Sequence, residues 1–500
     1  MKLKSHNKHS GIAVTGRIES WKENPVGRLP VSCTTFVVED SMDDKDGIDD
    51  SYKFTSYGLR YGQGISIHLS KLRPEGSMNS HGLVASGPMS FAELYSKYNK
   101  ILRRGGLYKN GAVVIHLDYN HKDVLHFVNG YDKYNKKNIR VPKEQLLSEA
   151  RREYAWAKRC LNVDSDFLAT ASDELIEDTL AAIARGDLWL NKIRYDNDGN
   201  RIYANVCLEV YLPHRGTCLL EHINLGQAKV GYLREDGTFE SNLKEFFTAG
   251  MLDLCQLHAK TEVDKDEQYL SPKEDRQVGL GVIGFANFLA YHGVTYKEYG
   301  RAAGDLILGK TLDMTITSNR LVVALKEAID AAAEIARANN MARAFAIAPT
   351  ASCSYRYVDL HGYTTTPELA PPISRQVDRD SETFGVESYD YGNVETAEEV
   401  GWEDYFLAVN NTVRLYQQTG LFHGYSFNSW SDMVIYDRKF LAEWLESPQT
   451  SLYYALQVQT GTLGKDDALV SIEDEDLKEF FGFDNDEEES KNTFCAVCSE

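Results

Sequence analysis

No window of this chain approaches the roughly 18 consecutive apolar residues that a membrane span requires, and the polar opening MKLKSHNKHSG has no apolar core of the kind a secretory signal carries. A spanning helix is excluded on that pattern, and the expectation is a cytoplasmic protein. Cysteine is scarce. There are eight in 500 residues, at 33, 160, 207, 218, 255, 353, 495 and 498, too few for a secreted disulfide framework and better suited to redox chemistry or metal binding. Basic residues are outnumbered: Lys plus Arg is 54 against 74 for Asp plus Glu, and the net charge of −20 argues against a broad duplex-binding surface while leaving room for local phosphate pockets. Linkers are missing too. No Pro- or Ser-rich stretch divides residues 31–465 and no fixed period repeats, so one large domain is the simpler reading.

What is present is ordinary globular material, 43% hydrophobic and 26% charged. Residues 1–30 hold six Lys or Arg and two acids without sustained apolar periodicity and read as an extension leading to a first strand at 31–38. Apolar, β-branched runs predict further strands at 64–69, 112–117, 202–212 and 344–347, and Ala, Leu, Glu and Lys at helical spacing predict helices over 143–160 and 319–340. Strands alternating with helices imply an α/β fold. Residues 471–500 hold eleven acids against two Lys, a run that repels itself, so 466–500 is expected to be a flexible acidic tail.

Chemistry concentrates in NVCLEVYLP at 205–213. If this segment is extended, the two-residue period places Asn205, Cys207 and Glu209 on one face and Val206, Leu208 and Val210 on the other. An amide, a thiol and a carboxylate in a row offer hydrogen bonding, a nucleophilic or one-electron sulfur, and a general base. A half-buried strand with Cys207 merely filling space is the plainer alternative. PTASCS, from Pro349 to Ser354, follows the apolar run AFAIA, and its hydroxyls and amides would cradle a diphosphate or simply cap a helix. Gly279, Gly281 and Gly284 form GxGxxG, but the preceding KEDRQV does not read as a buried strand, so close helix packing is expected rather than a dinucleotide turn. Cys495 and Cys498 form a CxxC on the tail. Zinc needs about four ligands and no second pair completes the set, whereas a dithiol on a mobile arm suits electron shuttling. Tyr453 and Tyr454 would ordinarily be a packing pair; His116, His214 and His222 show no metal spacing and read as surface or loop residues, so no metal site is expected.

These residues resemble a known family. NVCLEVYLP, followed by Cys218 and by INLG at 223–226, is similar to the active-site segment of the large subunit of ribonucleotide reductase. Further landmarks occur in the family's order: Ser32 and Cys33 followed by Asp40, GLRYGQGISIHLSKLRPEGS at 58–77, SGPMSF at 86–91, RRGGLYKNGA at 103–112, GLGVIGFANFLAYHGVTY at 279–296, which resembles a helical signature, and PTASCS. The resemblance covers roughly residues 30–460 and the terminal cysteine pair.

The resemblance implies a ten-stranded α/β barrel of two five-strand halves over 31–465, with Cys207 on a loop inside it. It implies that a thiyl radical on Cys207 removes the ribose 3′-hydrogen of a ribonucleotide, by preference a diphosphate, while Glu209 takes the 3′-hydroxyl proton and Asn205 binds the sugar. Cys33 and Cys218 would become a disulfide as water leaves C2′, and Cys495 and Cys498 would restore them from thioredoxin or glutaredoxin. Ser32, Pro349, Thr350, Ala351, Ser352, Cys353 and Ser354 would hold substrate, and Asp40 and Arg73 match positions that bind deoxynucleotide effectors. Tyr453 and Tyr454 match the adjacent tyrosines that relay a radical in class I enzymes, so the radical would come from a separate small subunit with a dimetal centre, this chain would bind no cofactor, and a homodimer is expected. Only thirty-two residues precede Cys33, so the family's N-terminal ATP cone is expected to be missing, as in minimal phage-like members, which would place the protein in a host cytoplasm. Two other readings stay open: an adenosylcobalamin-dependent reductase, and a partial nucleotide-binding chain that needs another to complete its fold.

Overall fold

The computed structural model describes residues 8–79, 82–102, 111–131, 143–380 and 386–458; Cys495, Cys498 and the whole 466–500 tail lie outside them, as does most of the loop at 103–112. Residues 8–30 are built into the fold rather than leading up to it. There β1 (Ile12–Val14) pairs antiparallel with a strand some 200 residues later, and α1 (Gly16–Glu23) buries Arg17, whose guanidinium donates to the carbonyls of Tyr61 at 2.8 Å and Gly62 at 2.6 Å.

Apolar runs supply the larger sheet: β2 (Cys33–Val37), β3 (Gly64–His68), β4 (Ala112–Asp118), β5 (Lys158–Val163) and β6 (Leu188–Lys192) run parallel, with Ser451–Leu452 as an antiparallel edge on β6. Parallel neighbours need long crossovers, and helices such as Ile48–Arg60 and Pro88–Leu102 provide them on one face. Covered on both faces, β2 and β3 are buried along their entire length. A small antiparallel unit follows, β7 (Arg194–Tyr195), β8 (Arg201–Ala204) and β9 (Tyr211–Leu212). The second sheet takes β10 (Leu220–Asn224), β11 (Gln277–Ile283), β12 (Arg343–Ile347) and Phe422–Tyr425 in parallel, with β1 on its edge.

Among the described residues these strands make sheets of six and five, joined where Thr34 and Thr217 form an antiparallel bridge, and not one closed ten-stranded barrel. Three local expectations also change. The helix expected over 143–160 ends at Glu153, because Cys160 to Val163 are buried in the middle of the larger sheet as β5. The strand expected over 202–212 is a hairpin, β8 turning into β9. The stretch at 279–296 opens as the buried strand β11 and becomes helical only at Phe285, with Gly284 in the left-handed region at φ 73°. Helix Thr317–Ala338 forms where the sequence predicts it, burying Leu321, Leu325, Ala328, Ala332 and Ala336 and packing on helix Leu243–His258 among others.

Candidate active site

The loop between β8 and β9 carries the amide, thiol and carboxylate. It is not extended. Asn205 N–H donates to the Val210 carbonyl at 2.8 Å, Leu208 N–H to the Asn205 carbonyl at 3.3 Å, and Leu208 sits at φ 65°, so the alternating faces expected of a strand do not form. The turn instead brings the ends of the motif together: Asn205 Nδ2 donates to Glu209 Oε1 at 3.0 Å, and Val210 N–H donates to Asn205 Oδ1 at 3.2 Å. Asn205, Cys207 and Glu209 are all fully buried. Ser426, just after the strand Phe422–Tyr425, donates its hydroxyl to the Cys207 carbonyl at 2.5 Å and lies 3.3 Å from Glu209 Oε2, fastening the loop to the second sheet.

The other end of the site is a cysteine pair. Cys33 N–H donates to Cys218 Sγ at 3.1 Å and Cys218 N–H to the Cys33 carbonyl at 3.0 Å, while Ser32 N–H donates to the Cys218 carbonyl at 3.1 Å. Cys33, Cys160, Cys207, Cys218 and Tyr453 share one buried apolar cluster. Gly64 permits the approach, since a Cβ there would lie 2.9 Å from both Cys33 Sγ and Val206 Cγ2. Beside this pair Asp275 is buried, accepts the Thr217 N–H at 2.8 Å, and is pushed up to about 6 by desolvation.

A polar chain braces the hairpin from the larger sheet. Tyr211 hydroxyl donates to Asn191 Oδ1 at 2.6 Å, Asn191 Nδ2 to Asn162 Oδ1 at 2.9 Å, and Asn162 Nδ2 to Asp118 Oδ1 at 2.8 Å, where Arg201 closes a two-pronged pair at 2.6 Å. His116 Nδ1 also reaches Asn162 Oδ1 at 3.0 Å and its ring stacks on His68 at 4.1 Å; burial pushes His116 down to about 4. The sequence reading of the histidines therefore changes: His116 and His222 are fully buried strand residues, and only His214 lies in a loop, its ring 3.0 Å from Asp46. For His116 the surrounding apolar run, VVIHLD, is the signal that marks it as interior; His222, next to Glu221 in LEHIN, has no such signal.

Tyr453 and Tyr454 meet edge to face at 4.4 Å, and Trp189, which the sequence reading did not single out, contacts both rings at 4.3 and 5.1 Å. In the turn after β12, Thr350 N–H donates to Glu368 Oε2 at 3.3 Å and Glu368 N–H donates back to Thr350 Oγ1 at 2.9 Å; burial pushes Glu368 up to about 8. Ser354 Oγ donates to the Ala351 carbonyl at 2.8 Å, and Cys353 is buried against Val14 and Arg356. Ala351 and Ser352 are half-buried. Asp40 and Arg73 form a partly exposed ion pair at 2.8 Å. An open cleft of about 510 Å³ lies elsewhere, bordered by Lys45, Lys53, Arg215, Asp266 and Tyr269; its Arg215 is already paired with Asp46 and Asp50, and none of the cysteines lines it.

A family model described as ribonucleotide reductase, barrel domain, matches residues 31–165 and 190–321, just over half of the chain. The chain is similar to a vitamin B12-dependent ribonucleoside-diphosphate reductase of Thermoplasma acidophilum, at 26% identity over 283 residues that make up 54% of this chain and 36% of the relative. It is also similar to a vitamin B12-dependent ribonucleotide reductase of Streptomyces clavuligerus, at 30% identity over 340 residues, 58% of this chain and 33% of the relative. The chain thus spans about a third of the length of the curated relatives it matches. In fold it resembles the class Id ribonucleotide reductase alpha subunit of Actinobacillus ureae, with a TM-score of 0.58 over 92% of this chain and 88% of that one at 16% identity. Because the family match takes in β2, the Cys207 hairpin, Cys218 and β11, the chain belongs to the ribonucleotide reductase family and carries its barrel domain.

Proposed function

We propose that this chain is the catalytic subunit of a ribonucleotide reductase, converting ribonucleotides, diphosphates first among them, into 2′-deoxyribonucleotides through a thiyl radical on Cys207. The observation that carries the reading is the convergence of Cys207, Cys33 and Cys218 in one buried cluster, with Glu209 and Asn205 hydrogen-bonded beside the first thiol. On this reading Cys207 takes the 3′-hydrogen atom and later returns it, Glu209 accepts the 3′-hydroxyl proton, and Asn205 orients the sugar. Loss of the 2′-hydroxyl as water consumes two electrons and two protons, and Cys33 and Cys218 supply both as they become a disulfide. Cys495 and Cys498 then reduce that disulfide by exchange and are themselves reduced by thioredoxin or glutaredoxin. Residues 349–354 with Ser32 hold the phosphates, and the Asp40–Arg73 pair holds a deoxynucleotide effector.

The radical equivalent arrives through Tyr454 and Tyr453 from a small subunit. The edge-to-face contact of the two rings, and the place of Tyr453 in the thiol cluster, support that route. The names of the curated relatives favour a second source, adenosylcobalamin acting directly in the barrel. Assaying deoxynucleotide formation with adenosylcobalamin alone, and with a dimetal small subunit alone, separates the two. Activity only with the subunit, lost in Tyr454→Phe, is the expected result. Activity with adenosylcobalamin alone that survives Tyr454→Phe would replace the tyrosine route.

A further inference from the structure

The inner wall of the second sheet carries small residues at its centre, on β11 and β12. Along β11 the large side chains Val278, Leu280 and Val282 face the helices, which leaves Gly279, Gly281 and Ile283 on the inner side; along β12, Phe345 and Ile347 face outward and Ala346 inward, followed by Ala348. On β10 the same alternation turns Ile223 outward and puts Leu220 in the cluster that holds Cys207 and Cys218. His222, two residues on from Leu220, therefore stands on the inner wall, paired in register with Gly281.

His222 is fully buried, and among the described residues neither Nδ1 nor Nε2 has a hydrogen-bond partner. Its ring fills the space that a side chain at 281 would take, since a Cβ on Gly281 would lie 2.8 Å from His222 Nδ1 and 2.5 Å from the Ala346 carbonyl oxygen. The charged group facing it is Arg356, and burial together with that cation pushes the imidazole down to about 3, so the ring stays neutral with one donor and one acceptor to offer. Two unmet polar atoms in a closed site are costly unless something supplies them with partners. The wall places His222 one step beyond the thiol cluster at Leu220, and the same wall runs through Ala348 into the turn at 349–354.

We infer that His222 contacts substrate, its imidazole hydrogen-bonding an oxygen of the sugar–phosphate part of a ribonucleotide held between Cys207 and residues 349–354. This rests on the reading of those residues given above. Hydrogen bonds of this kind correspond to about tenfold to a hundredfold in affinity.

Binding of cytidine diphosphate to the full chain is measured calorimetrically for the wild type, His222→Phe and His222→Asn, alongside thermal melts and nitrogen-15 spectra of labelled histidine. His222→Phe is expected to melt at or above the wild-type temperature, because an unpartnered polar ring gives way to an apolar one, and to bind the diphosphate about tenfold to a hundredfold more weakly. His222→Asn is expected to recover part of that loss, and the His222 ring signal to shift on saturation. Cytidine distinguishes the contact: its affinity falls equally in His222→Phe if a ribose hydroxyl is bound, and is unmoved if a phosphate oxygen is bound. A wild-type His222 signal that saturating nucleotide leaves in place, with Kd in His222→Phe within twofold, overturns the inference while the proposed function stands. Absence of nucleotide binding to the wild type overturns both.

Discussion

Glu221 is the least comfortable carboxyl in the second sheet. It points from β10 toward α1 and helix Leu243–His258, fully buried, with the Lys22 ammonium 3.9 Å away and the Asp253 carboxyl close by, and desolvation pushes it up to about 8. The folded state therefore keeps a proton that the unfolded chain loses above its ordinary carboxyl range. Stability from this group is complete below that range and is lost as pH rises toward 8. Glu221→Gln, followed by denaturant melts between pH 5 and 8, is expected to flatten the decline; an unchanged slope would show that the carboxyl ionises without penalty. At this scale the sequence marks candidates where reactive residue types fall together, as at Asn205, Cys207 and Glu209, which the structure buries on one turn, and it misleads where burial decides. His116 and His222 read as surface residues because a lone histidine carries no periodicity of its own, and Ser426, Trp189 and Asp275 passed unnoticed because nothing near them in sequence announces the loop they touch.

The hairpin between β8 and β9 shows why elements were only partly legible. Its apolar alternation reads as one strand over 202–212, yet the chain turns, with Leu208 at φ 65°, the Asn205 side chain bonded across the loop and Ser426 holding the Cys207 carbonyl from the second sheet. Strands β2, β3, β4 and β12 were readable because burial on both faces writes a continuous apolar run. β11 was not, since its glycines read as close helix packing at the start of a helical stretch, whereas their reason lies on neighbouring strands: a Cβ on Gly279 would lie 2.4 Å from Leu220 Cδ2. Gly64 is a similar case on β3. Gly64→Ala drives a methyl group against Cys33 Sγ and Val206, both buried, and overpacking of this kind costs about 1–3 kcal/mol. Equilibrium unfolding is expected to show that loss together with reduced turnover, because the added methyl separates the hairpin from the cysteine pair. Unchanged stability would mean that the contact yields freely.

On the scale of the whole molecule, the α/β class was legible and the closure was not: alternating strands and helices show in the sequence, whereas the split into sheets of six and five depends on edges that no local pattern encodes. The proposed division of labour between two cysteine pairs is a property of the full chain. Cys33 and Cys218 lie in the interior, out of direct reach of a protein reductant, and on the proposed reading the tail carries electrons to them. The double variant Cys495→Ser with Cys498→Ser is therefore expected to give about one turnover per site with thioredoxin and many with dithiothreitol, which diffuses in. Repeated turnover of that variant with thioredoxin would remove the tail from the mechanism. The central claim rests on a single sulfur, and the most direct test is deoxynucleotide formation by Cys207→Ser, read beside its affinity for a ribonucleoside diphosphate. Hydrogen abstraction requires the sulfur and phosphate binding does not, so turnover is expected to vanish while affinity stays within a few-fold. Reductase activity retained by Cys207→Ser would contradict the account.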